Sequence, residues 1–258
     1  MTNIRLSHRT AAMLRKVPEV TVSFWLIKLL STAMGEVFSD FLVHQFDPIL
    51  AVACGGIAFI AALALQFLVR KYVAWIYWLV VATVAIFGTM AADVLHIGLG
   101  IPYLISTLFF AVALAVVFGI WYASEQTLSI HSIFTTKREL FYWATVITTF
   151  ALGTAAGDMT ATTMHLGYVA SGVLFTVLIA LVAVAYWRFG VNEILAFWSA
   201  YIVTRPLGAS FADWAGRDQS ASGLGLGTGW VSLVLMSVII VLVGYLSVTH
   251  KDITLEQR

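Results

Sequence analysis

Eight apolar runs of roughly 20 residues divide this 258-residue chain almost from end to end. They cover residues 22–41, 48–69, 75–95, 103–123, 140–161, 168–187, 194–213 and 229–248. At about 1.5 Å of rise per residue, each run as an α-helix matches roughly 30 Å of hydrocarbon, and no other feature limits the fold as much. Unbroken stretches of Leu, Val, Ala, Ile and Phe lack the short alternating pattern of barrel strands, so helices are the expected spanning elements. Composition agrees, with 61% hydrophobic residues, 10% charged residues and a mean hydropathy of +0.95. That is too apolar for a soluble domain and fits an all-α membrane protein with eight transmembrane helices.

Several function classes fall away at once. A net charge of +1 argues against a nucleic-acid partner. No GxxxxGK loop is present, so no nucleotide-driven pump is expected. The stretch "GLGLGTG" at 223–229 has no preceding strand and reads as a flexible turn. The single cysteine, Cys54, lies in an apolar run, reads as a packing residue and excludes an internal disulfide. The N-terminal stretch carries Arg5, Arg9, Arg15 and Lys16 without an apolar core of its own, so no cleaved signal peptide is expected.

Basic residues give the orientation. Of 14 Lys and Arg, eleven fall on one side: four in the N-terminal tail, then Arg70, Lys71, Lys137, Arg138, Arg188, Lys251 and Arg258. Arg217 alone lies in the opposite loops, while Lys28 and Arg205 fall within spans. The excess of positive charge places both termini in the cytoplasm.

Four segments align without gaps: "FWLIKLLSTAMGEVFSD" (24–40), "YWLVVATVAIFGTMAAD" (77–93), "YWATVITTFALGTAAGD" (142–158) and "FWSAYIVTRPLGASFAD" (197–213). Each reads Phe or Tyr, Trp, nine residues, Gly, four residues, Asp. The tryptophans are Trp25, Trp78, Trp143 and Trp198, and the aspartates are Asp40, Asp93, Asp158 and Asp213. Since a second apolar run follows each segment, the repeat unit is a pair of helices, with boundaries at 16–71, 72–136, 137–190 and 191–250 of a single membrane domain. On these residues the chain resembles an uncharacterised bacterial membrane-protein family built of four tandem repeats, each with two transmembrane segments and a recurring tryptophan. The resemblance covers about 16–249 and implies a multi-pass protein of the bacterial inner membrane, with no activity attached.

Two crossings per repeat keep all four repeats in one orientation, so a pseudo-fourfold bundle of parallel two-helix repeats is expected. The odd helices carry Lys28, Glu36, Arg205 and the four aspartates, whereas the even ones are nearly featureless. Polar groups turn from lipid towards the bundle interior, which makes the odd helices inner and the even helices outer. A recurring glycine permits close helix approach. The tryptophans read as interface anchors, and Lys28, about 5 Å above Trp25, reads as snorkelling to the cytoplasmic surface. Arg205, before the kinking Pro206, calls for a carboxylate, and Glu36 is nearest in height; these residues read as structural or gating groups. Glu19, Glu139 and Glu193 read as helix-start carboxylates that suit the helix dipole.

Fifteen residues after each tryptophan, roughly 22 Å along the axis, the four aspartates come to one level near the outer face. Glu36, Asp40 and His44 are four apart, Asp93 and His96 three apart, and His165 follows Asp158 by seven with Met159 and Met164 beside them. Carboxylate and imidazole with thioether nearby suit Zn or Cu more than Mg or Ca. The expected metal site is therefore Glu36, Asp40, His44, Asp93, His96, Asp158, His165 and Asp213. The leading reading is a membrane protein that binds and transports Cu or Zn, with lipid and the metal ion as partners. Its alternatives are an intramembrane zinc hydrolase and a proton-coupled small-solute transporter.

Overall fold

The computed structural model describes residues 15–253. Among them are eight α-helices and no strands, each helix holding one of the apolar runs. They are α1 (Val22–Gln45), α2 (Pro48–Leu68), α3 (Ala74–Asp93), α4 (Tyr103–Glu125), α5 (Thr136–Asp158), α6 (Gly167–Phe189), α7 (Glu193–Gly216) and α8 (Thr228–Thr249). Side-chain caps fix several starts: Thr21, Asp47, Thr135 and Asn192 accept from the first free backbone N–H groups of α1, α2, α5 and α7. Six helices are long and apolar enough to cross a membrane, so the chain is a multi-pass membrane protein. The other two, α1 and α7, each carry three charged residues within the helix: Lys28, Glu36 and Asp40, and Glu193, Arg205 and Asp213. Arg5, Arg9 and Arg258 lie outside the described residues.

Packing is cyclic. The odd helices contact one another in the order α1, α3, α5, α7 and back to α1. Each even helix packs most closely on the odd helix of the next repeat: α2 on α3, α4 on α5, α6 on α7, and α8 on α1. Burial follows: the spans containing α3 and α5 are 50% and 61% buried, against 17–22% for α2, α4, α6 and α8. Cys54 on α2 is exposed rather than packed, because that helix meets the ring along one face only.

Within the repeated segment the first, fifth, ninth, thirteenth and seventeenth positions lie one above another on each odd helix, about 6 Å apart. The first layer is Phe24, Tyr77, Tyr142 and Phe197; the second is Lys28, Val81, Val146 and Tyr201; the third is Thr32, Ala85, Phe150 and Arg205. All twelve are buried. Above them lie Glu36, Thr89, Thr154 and Ala209, again buried, and then the four aspartates. The repeat thus writes a column of five layers.

The glycines close the ring. A Cβ on Gly35 would stand 2.5 Å from that of Ala85, on Gly88 2.7 Å from that of Phe150, on Gly153 2.6 Å from that of Arg205, and on Gly208 3.0 Å from that of Thr32. Each glycine therefore receives the ninth-position residue of the next odd helix, with Gly208 of the last repeat receiving Thr32 of the first. Tryptophans follow the same cycle at the other end. Phe24 meets Trp78, Tyr77 meets Trp143, Tyr142 meets Trp198 and Phe197 meets Trp25, at centroid distances of 5.5–6.2 Å. Trp78, Trp143 and Trp198 are buried, which corrects the expectation of interface anchors: their rings are held between helices by aromatic neighbours. Trp25, half-buried, lines a cavity of about 700 Å³ with Glu19, His131 and Glu193 at its polar edge.

Residues 15–19 cross the tryptophan end of the bundle. The Tyr72 N–H donates to the Arg15 carbonyl at 3.0 Å, that of Lys16 to Ile133 at 2.9 Å, and that of Glu19 to Asp252 at 2.9 Å. Lys16 pairs with Glu139 at 2.6 Å, and Gln66 donates to the same carboxylate at 2.9 Å. Glu139 is thus more than a dipole complement in the first turn of α5; it anchors the strap.

Candidate functional site: an acidic cluster in the helix ring

Arg205 organises the fourth layer. Pro206 follows it within α7, and its Nη2 donates to Glu36 on α1 at 2.7 Å, to Thr154 on α5 at 2.7 Å and to Thr89 on α3. The expected partnership with Glu36 is present, and both groups are fully buried. Thr89 and Thr154 were not singled out in the sequence, although the signal was there: the residue after the motif glycine is Glu36, Thr89 or Thr154 in three repeats.

One layer higher, Arg217 spans two aspartates, with Nη2 2.9 Å from Asp40 Oδ2 and Nε 3.0 Å from Asp213 Oδ1. The loop 223–229 is folded rather than flexible, its Gly225 N–H donating to the Arg217 carbonyl at 2.9 Å and its Leu224 N–H to Trp214 at 2.6 Å. Arg217 was also missed as a site residue; the signal was its place four after Asp213 as the one basic residue of the outer loops.

Carboxylate oxygens of Glu36, Asp158 and Asp213 lie within 4.8 Å of one another, the one group of three or more Asp, Glu, His or Cys with ligand atoms so placed among the described residues. Asp93 occupies the same layer, and the charges of Glu36, Asp40 and Asp213 act on it. The structure thus brings together five of the eight residues expected at the site: Glu36, Asp40, Asp93, Asp158 and Asp213. Five carboxylates meet two guanidinium groups, Arg205 and Arg217.

No histidine belongs to the group with closely placed ligand atoms, although the charges of His44 and Asp40, and of His96 and Glu36, act on each other. His44 is exposed and its Nδ1 donates to the Asp40 carbonyl at 2.6 Å. His96 is buried, 3.0 Å from the Ser106 hydroxyl, with its ring tilted at 43° to that of Tyr103 at a centroid distance of 4.5 Å. His165 is exposed with φ of +55°. For His96 and His165 helix geometry gives the reason, whereas His44 follows Asp40 by four within the regular helix α1. After Asp93 and Asp158 the backbone widens into π-helical turns, Val94–Gly98 and Met159–Thr163, which rotate the following residues away from the face that carries the aspartates.

Lower in the column, Lys28 does not snorkel. It is 1% exposed and its ammonium sits 4.2 Å and 4.3 Å from the ring centroids of Tyr201 and Phe150. The tyrosine and phenylalanine faces solvate the charge. His131, assigned no partner in the sequence, bridges Glu19 at 3.7 Å and Glu193 at 3.5 Å at the tryptophan end. Burial and the nearby Arg15 hold its pKa below the usual histidine value.

No curated protein and no solved structure matches this chain. A family profile does, in four tandem segments at residues 23–72, 76–127, 141–192 and 196–252, which coincide with the helix pairs and span most of the chain. The protein therefore belongs to the family described as Repeat of Unknown Function (DUF347).

Proposed function

We propose that this chain is an inner-membrane transporter that binds a divalent metal ion at the cluster of Glu36, Asp158 and Asp213, with Asp40 and Asp93 beside it, and exchanges that ion for protons. The observation that carries the reading is the charge count. Five carboxylates at one end of the helix ring, three of them with oxygens within 4.8 Å of one another, meet two guanidinium groups, and an uncompensated buried charge costs several kcal/mol. Protons or a cation make up the deficit, and the two compete for the same oxygens.

Oxygen donors suit zinc or a harder divalent ion. Copper favours imidazole and thioether donors, which the group of Glu36, Asp158 and Asp213 lacks. Ligand oxygens about 2.0–2.2 Å from zinc stand roughly 3.4 Å apart, so the three carboxylates draw closer on binding. In the orientation given by the basic residues, the aspartate end faces outward and the tryptophan end faces the cytoplasm.

Elemental analysis and calorimetric titration with Zn²⁺ of the purified protein, wild type against Asp158→Asn with Asp213→Asn, test this. About one ion per chain in the wild type and at least a tenfold weaker affinity in the variant are expected. A wild type that carries no stoichiometric metal and shows no heat on titration rules the reading out.

A further inference from the structure

A second polar feature lies beneath the cluster and is not used by it. At the first layer two repeats hold phenylalanine, Phe24 and Phe197, and the other two hold Tyr77 and Tyr142, whose hydroxyl groups meet at 2.5 Å in the core. Tyr201, fully buried one layer higher on α7, lies beside Tyr142 and carries Lys28 on its ring. On the other side, the Tyr72 ring packs edge-on against Tyr77 at 5.7 Å, and its hydroxyl donates to Asp252 Oδ2 at 2.5 Å. Tyr72 and Asp252 in turn line a cavity of about 540 Å³ at the tryptophan end, together with Lys71 and His250.

We infer that Lys28, Tyr201, Tyr142, Tyr77, Tyr72 and Asp252 form a proton route between the interior of the helix ring and this cavity. The inference rests on the exchange proposed above, since protons displaced by a cation need a way across the half of the ring that the metal does not occupy. A floor built only for packing is served by phenylalanine, as the equivalent positions Phe24 and Phe197 show. Hydroxyl groups in their place add donors and acceptors; the Tyr77–Tyr142 and Tyr72–Asp252 steps are hydrogen-bonded, and Lys28 Nζ and Tyr201 Oη, with no hydrogen-bond partner of their own, make the remaining steps by side-chain movement.

The transfer balances. Lys28 ammonium gives up one proton, each tyrosine hydroxyl accepts one and passes its own onward, and the Asp252 carboxylate takes the last. The tyrosines end as they began, with one proton moved from Lys28 to Asp252, and the Lys28 amine is restored by one proton displaced from the carboxylates above. The charged neighbour acting on Lys28 is Arg205, from the layer above. At the exit, burial holds the Asp252 carboxyl above the usual carboxylate value, which favours its taking up a proton, and burial together with the Asp252 charge keeps the Tyr72 hydroxyl protonated.

The test uses the full chain reconstituted into vesicles with a pH-sensitive dye inside, Zn²⁺ added outside and the membrane potential clamped. Calorimetry on the same preparations reports Zn²⁺ binding independently. Tyr142→Phe removes a single oxygen and keeps the ring, and Lys28→Met keeps the stem, with melting temperature checking the fold of each. The expected result is Zn²⁺ binding within twofold of wild type in both variants and Zn²⁺-driven proton movement reduced at least tenfold. Unchanged proton movement in both variants overturns the route while leaving the metal site intact. So does a wild type that binds Zn²⁺ and moves no protons. A wild type that binds no Zn²⁺ overturns the exchange reading and the route with it.

Discussion

Arg205 shows how one side chain can hold four helices. It rises from α7, and its Nη2 alone reaches Glu36, Thr89 and Thr154 on the other three odd helices. Glu36 is the one carboxylate paired directly with Arg205 among the described residues, and removing it leaves that buried guanidinium without its hydrogen-bonded partner. Glu36→Gln is therefore expected to cost about 3–5 kcal/mol in unfolding measured in detergent, whereas Glu36→Gln combined with Arg205→Met recovers much of the loss. A double variant no more stable than the single one contradicts this account. Asp252 makes a separate case at the tryptophan end. Burial raises its pKa above the ordinary 3.8, partly offset by the hydrogen bond from Tyr72. A raised carboxyl pKa stabilises the fold fully below pH 3.8, and the contribution disappears as pH rises through the raised value. Asp252→Asn keeps an acceptor for Tyr72 and is expected to flatten the dependence of melting temperature on pH above 3.8. Equal slopes in wild type and variant count against it.

The motif glycines set helix spacing, and their neighbours decide what a methyl group there does. Gly35→Ala and Gly88→Ala drive a Cβ into Ala85 and Phe150, and each is expected to lower stability by about 1–3 kcal/mol. Gly119 on α4 and Gly244 on α8 have nothing within 4 Å, so Gly→Ala at these positions is expected to be neutral or to gain up to about 0.5–1 kcal/mol from helix propensity. Thermal unfolding of the four variants separates these two classes, and a uniform effect argues against the close-approach role. The glycines, the number of helices and the partnership of Arg205 with Glu36 were legible because the repeat states them four times at fixed spacing. Other features were not. Lys28 looks like a snorkelling residue to any count along its own helix, and only Phe150 and Tyr201 from α5 and α7 reveal that the charge is solvated by rings. His96 and His165 share sequence proximity with Asp93 and Asp158, but a π-helical turn between them carries no periodic signal. Thr89 and Thr154 were visible in register, yet threonine is common in apolar helices, where its hydroxyl can satisfy itself on the preceding turn, as that of Thr89 does on Ala85.

At the scale of the whole molecule, the cyclic packing explains why four weakly polar helix pairs make one strongly polar interior. Each repeat contributes one residue to every layer, so a side chain that differs among repeats, such as Glu36, Thr89, Thr154 and Ala209, meets its three counterparts at a single level. Contact of α8 with α1, and of Gly208 with Thr32, closes the cycle between the last repeat and the first. The uppermost layer is the exception to this division of labour, since all four repeats supply aspartate and the balancing charge comes from Arg205 below and Arg217 in the loop after α7. With five carboxylates against two guanidinium groups, binding of a divalent ion must displace protons from whatever share of the cluster is protonated. Zn²⁺ affinity is therefore expected to fall as pH falls, by about tenfold per pH unit for each proton displaced, with the slope of log K against pH lying between about 1 and 2. Calorimetry in buffers of different ionisation enthalpy counts the released protons directly. Arg217→Met removes one balancing charge, so it is expected to increase the number of protons released per ion while leaving Glu36, Asp158 and Asp213 in place. An affinity independent of pH, with no proton released in either protein, would mean that the cluster is balanced by some other charge and that exchange is not its chemistry.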